Sequence, residues 1–164
     1  MEVHTPNGEL EELIRILARN GDNKVLRHFA CWCARQLGPV SWENVHLLTT
    51  AERYLRGELT WEEVRAKDGS LAGSLSAACL IGVFKCHDPS AATRLVYGAT
   101  HNPYPAIGAR EAARWMRAFH ILMGRRYNLP ADQVEDKVQS TSRLQVITLN
   151  IIANWYRLKR EKGG

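Results

Sequence analysis

The chain has 164 residues, 45% hydrophobic and 24% charged, which is enough to bury a core without staples and excludes disordered and collagen-like classes. Its net charge of +5 is unevenly laid out: residues 1–70 carry 9 Lys or Arg against 11 Asp or Glu, a net of −2, and residues 71–164 carry 13 against 6, a net of +7. An acidic or polyanionic partner would therefore meet the second half first.

The first eight residues, Met1 to Gly8, lack the basic start and apolar stretch of a secretory signal. The longest nearly apolar run, Ala77 to Phe84, falls far short of the roughly 20 residues that cross a bilayer. No membrane association is expected, and a cytoplasmic address with four reduced cysteines follows.

Helical periodicity dominates the chain. Leu10, Leu13, Ile14 and Leu17 recur at i, i+3, i+4, i+7, and Asn20-Gly21-Asp22 breaks the pattern. Asp22 or Asn23 caps a second helix that runs to about Gln36, with Leu26, Phe29, Ala30, Cys33 and Leu37 on one face. Lys24, Arg27, His28, Cys31 and Arg35 take the other, and Gly38-Pro39 ends it. Ser41 is placed to cap a third helix closed by Gly57, and Thr60-Trp61-Glu62-Glu63 has the form of a capping box.

The small-residue segment Leu71 to Cys86 reads as a buried helix, and Asp88-Pro89 as a restart. Thr100 to Gly108, with Pro103 and Pro105, reads as an extended connector. Ala109 to Tyr127 follows as a long helix with an apolar stripe of Ala112, Trp115, Met116, Phe119, Leu122 and Met123. A short acidic helix after Pro130 leads to a last one, from about Thr141 to Lys159. Its face of Leu144, Ile147, Ile151, Trp155 and Leu158, widened by Leu149 and Ile152, predicts a central, buried helix. The fold class expected is all-α: one compact bundle of about seven to nine helices over residues 1–164, with a Pro-rich connector near 100–108.

Chemistry is sparse. Cys31-x-Cys33 and Cys86-His87 invite a zinc reading, but two thiols two apart on a helix diverge, whereas zinc pairs converge across a turn. Glu43-x-x-His46 has di-metal spacing without the second copy such sites need. Asp132, Glu135 and Asp136 are more simply the acidic first turns of a helix. No catalytic residue, metal ligand or cofactor is assigned, and a binding role is expected over an enzymatic one. One thiol stands apart: Cys31 shares its face with Lys24, Arg27, His28 and Arg35, positive charges that would favour the thiolate of a reactive cysteine. The plainer reading is an incidental thiol.

The basic face of the long helix carries more. Arg110, Arg114, Arg117 and Arg125 fall within a sector of about 80°, opposite the apolar stripe. Their planar forks suit the carboxylates of an acidic protein or the phosphates of a nucleic acid. Arg157, Lys159, Arg160 and Lys162 add a basic tail. Asn150 and Asn154 flank the last helix and are expected to bond across the bundle or line a groove.

Two segments carry a family resemblance. Leu26-Arg27-His28-Phe29-Ala30-Cys31-Trp32-Cys33-Ala34-Arg35 follows the pattern LRxFAxxCAR, and Ala51-Glu52-Arg53-Tyr54 through Gly57, Thr60 and Glu62-Glu63-Val64 follows AERYxxGxxTxEEL. Over roughly residues 9–80 the chain resembles a bacterial group of small helical immunity proteins. It departs from them in the loop between the first two motif helices, in a diluted alanine-rich region and at Asn102 to Pro105. Arg27, Cys33 and Arg35 fit the pattern as scaffold positions, with no family active site to carry over. The resemblance implies a module that binds and blocks a toxin or nuclease. A nucleic-acid-associated accessory protein using the basic half is the alternative.

Overall fold

The computed structural model describes residues 6–38, 41–68 and 89–163. Over these residues the chain forms seven α-helices and no strand: α1 (Pro6–Arg19), α2 (Asn23–Leu37), α3 (Trp42–Leu55), α4 (Trp61–Asp68), α5 (Pro89–Ala99), α6 (Pro105–Arg126) and α7 (Ala131–Gly163). The helix expected over Leu71 to Cys86, the Asp88 cap and the Cys86-His87 pair lie outside the described residues.

Local chemistry sets the boundaries of the first four helices. Gly21, at a φ of 74°, lets the chain leave α1, and the Gly21 and Asp22 amides donate to the Ala18 and Leu17 carbonyls. The Ser41 hydroxyl accepts from the Asn44 amide and starts α3. Thr60 and Glu63 form the reciprocal capping box that starts α4.

The long helix α6 starts at Pro105, earlier than the connector reading allowed. Proline at the first helical position has its ring torsion pre-set and no amide to satisfy, so Pro105 opens the helix. The connector shrinks to Thr100 through Tyr104. Gly108 then lets α5 approach, since a Cβ there would lie 2.5 Å from the Ala99 carbonyl oxygen.

α2 and α6 are the central helices. α2 packs against α1, α3, α5, α6 and α7, and α6 against α1, α2, α5 and α7. The core is built from Leu10, Ile14, Leu26, Phe29, Ala30, Cys33, Leu95, Val96, Ala112, Trp115 and Met116 among others. Arg27 sits inside this packing rather than on a solvated face. Its guanidinium donates to the Asn102 and Pro103 carbonyls at 2.6 and 3.3 Å and lies 3.6 Å from the Trp61 ring centroid. It thereby ties α2 to α4 and to the α5–α6 connector.

The last helix differs from expectation twice. The acidic helix and its successor are one continuous helix of 33 residues, because nothing between Ala131 and Lys162 is Gly or Pro. It is also not central. The face expected to be buried points outward, with Leu144, Ile147, Ile151, Trp155 and Leu158 between 42% and 63% exposed. The buried face is Thr141, Ser142, Gln145, Leu149 and Ile152.

Gln145 lies at the centre of that buried face. Its side chain is fully buried; the amide donates to the Ala113 carbonyl at 3.1 Å and to Met116 Sδ at 3.3 Å, and its oxygen accepts from Arg117 at 2.8 Å. The expected cross-bundle amides, Asn150 and Asn154, instead bond within their own helix, to the Val146 carbonyl and to Arg157. Gln145→Ala should therefore cost about 2–4 kcal/mol, since it strands buried polar groups on α6, while Asn150→Ala stays within about 0.5 kcal/mol. Urea denaturation of the two variants checks this; equal stabilities would count against the buried amide.

Candidate functional site

The arginine sector of α6 is set by its helical spacing, and the fold divides it. Arg110, Arg114 and Arg117 line one cleft of about 320 Å³ between α1 and α6, floored by Leu10, Ile14, Ile107 and Ala113. Arg125 lies about two turns beyond Arg117, in a separate concavity of about 490 Å³ at the α6–α7 corner with Ile121, Leu129, Val134 and Glu135. Three of the four basic residues line one cleft, and the fourth lines another.

Within the cleft each guanidinium is held differently. Arg110 Nε bonds Glu11 Oε1 at 2.6 Å, joining α6 to α1. Arg117 donates to Gln145, and burial lowers its pKa from the ordinary arginine value, with nearby Arg114 acting in the same direction. The Arg114 guanidinium carbon lies 5.2 Å from the Trp115 ring centroid. Glu111, on the same wall, has its carboxyl pushed up by burial, against the pull of Arg114 and a hydrogen bond from Asn102.

Three cations and two carboxyl groups, one of them biased toward neutrality, leave an excess of positive charge above an apolar floor. Such a cleft suits a carboxylate attached to an apolar body. Its described lining contains no Ser, Thr, Cys or His.

Cys31 does not occupy the exposed, basic setting expected of it. It is 3% exposed, and burial pushes its thiol strongly up, aided by the Glu52 carboxylate and only partly opposed by Arg27 and Arg35. Arg35 is itself engaged by Glu52 through contacts of 2.8 to 3.0 Å. The expectation of a lowered thiol pKa is thus reversed, because depth in the core outweighs nearby charge. Glu43 and His46 are both exposed, as are Asp132, Glu135 and Asp136 on the first turns of α7. Among the described residues no group of three or more His, Cys, Asp or Glu is arranged to hold a metal ion.

Sequence reasoning missed the cluster where α2 meets α7. His28 Nδ1 lies 3.2 Å from the Tyr156 hydroxyl, and the His28 ring stands edge-on to both Trp155 and Tyr156. Burial pushes the Tyr156 phenol up to about 12. The aromatic spacing in α7 was visible, but its partner is 128 residues away.

No protein-family model, no curated protein and no solved structure matches the chain.

Burial also holds the His28 imidazolium below its ordinary pKa of 6.5, with Glu52 pulling weakly the other way. The unfolded chain then takes up a proton at a higher pH than the folded chain, so stability declines as pH falls through 6.5 toward the folded value and levels off below it. His120 acts with the same sign, through burial and Lys137. Replacing His28 by Gln should flatten the fall in Tm between about pH 7.5 and 5.5. A slope identical to the parent's would show that this histidine is not the group responsible.

Proposed function

We propose that the chain is a helical protein-binding module that takes up an acidic, partly apolar element of a partner protein in the α1–α6 cleft. The observation that carries this is the convergence of Arg110, Arg114 and Arg117 above an apolar floor. Arg114 stands between Arg110 and Arg117 along α6 and lines the same cleft. A fork-to-carboxylate contact at a partly desolvated site supplies the kind of anchor on which interfaces depend.

The resemblance to immunity proteins would make the partner a toxin or nuclease and the mode of action occlusion. The nucleic-acid alternative uses the same basic half. Against it, Glu11 and Glu111 interrupt the cleft, and the tail is partly neutralised: Arg157 pairs with Glu161 and Arg160 with Asp22. A phosphate backbone favours an uninterrupted basic track.

Affinity capture from the native host, with and without nuclease, separates the two. The protein reading expects a stoichiometric complex that survives nuclease and moderate salt and is weakened by about 10- to 100-fold in the Arg114→Glu variant. A partner lost on nuclease treatment, or binding that falls steeply as salt rises, would assign the basic half to nucleic acid instead.

A further inference from the structure

The apolar stripe on α7 is a second surface, on a different helix from the cleft. Five large side chains, Leu144, Ile147, Ile151, Trp155 and Leu158, stand 42–63% exposed along one line of the helix. Together they offer on the order of 500 Å² of apolar surface, at the upper end of what a monomer's largest patch shows. Their spacing is 3, 4, 4 and 3 residues, so the line repeats after 11 residues (Leu144 to Trp155, Ile147 to Leu158) and stays nearly straight along an α-helix.

We infer that this stripe pairs with the same stripe of a second copy, antiparallel and about a two-fold axis at Ile151. The spacing is the first reason. A two-fold interface must be self-complementary, with the residue n positions before the axis meeting the residue n positions after it. Counted from Ile151 the apolar positions fall at −7, −4, 0, +4 and +7. Leu144 therefore meets the other copy's Leu158, Ile147 meets its Trp155, and Ile151 meets itself.

Charge gives the second reason. At about 100° per residue, Arg143 and Glu161 point to the same flank of the stripe, 18 residues or five turns apart. In the antiparallel pair each Arg143 comes within about one half-turn of the other copy's Glu161, which it would share with that copy's Arg157, and Asn150 and Asn154 meet their counterparts on that flank. The helix dipoles oppose, which favours the arrangement. Area gives the third: the two stripes together cover about 1,000 Å², the lower bound of a specific interface before the polar flanks are added.

Sedimentation velocity of the full chain at micromolar concentration tests the pairing. The expected species has twice the 18.6 kDa chain mass. Ile151→Glu, which brings two carboxylates together on the axis, should weaken it by about 100-fold or more and leave the helical circular dichroism unchanged. The geometry has its own readout, in a Cys79→Ser, Cys86→Ser background. Under mild oxidation Ile151→Cys chains should cross-link to one another, and Leu144→Cys chains should link to Leu158→Cys chains but not to themselves. A monomer throughout the micromolar range overturns the inference, whatever else then covers the stripe. So does a dimer that Ile151→Glu leaves intact, or self-linking at position 144 in place of 151.

Discussion

The inward face of the last helix is centred on one buried amide, and the surfaces that the protein presents follow from that setting. Gln145 is enclosed between α6 and α7 and has both ends of its side chain bonded, to the Ala113 carbonyl and Met116 sulfur on one side and to Arg117 on the other. With both ends bonded, the amide is buried on the α6-facing side of α7 without an unsatisfied polar group. Ser142 joins it at little cost, because its hydroxyl bonds the Val138 carbonyl of its own helix. With Leu149 and Ile152 following inward, the larger apolar stripe points away from the described helices.

The same contact connects the two surfaces. Arg117 lines the α1–α6 cleft and donates to Gln145, so the guanidinium that shapes one wall of the cleft also holds the rotational setting of α7. The α1–α6 cleft and the inward face of α7 thus share one hydrogen bond. At the other end of α7, Arg160 reaches Asp22 and His28 meets Tyr156, fixing the helix against α2.

What the sequence disclosed follows from the range of the interactions involved. Helix boundaries set by neighbours in the chain were legible: Ser41, the Thr60 and Glu63 pair, and the glycines at positions 21 and 57 act within a few residues. Pro105 was read as a breaker when its place at the first turn makes it an initiator. The arginine sector was legible as an angle, but not its division into a cleft and a remote corner, nor the Glu11 that Arg110 meets 99 residues away. Periodicity located the stripe on α7 and put it on the wrong side, because hydrophobic spacing weighs apolar area and is blind to a distant carbonyl that satisfies one glutamine. Cys31 misled in the same way: its basic neighbours are local, and its depth is a product of packing.

The orientation of α7 is most directly measured by thiol accessibility in dilute chain, below the concentration at which copies meet. A cysteine replacing Ile151 should react with a maleimide nearly as fast as an unstructured thiol, and one replacing Leu149 far more slowly. Fast labelling at 149 with protection at 151 would mean that α7 is turned the other way, with its apolar stripe in the core.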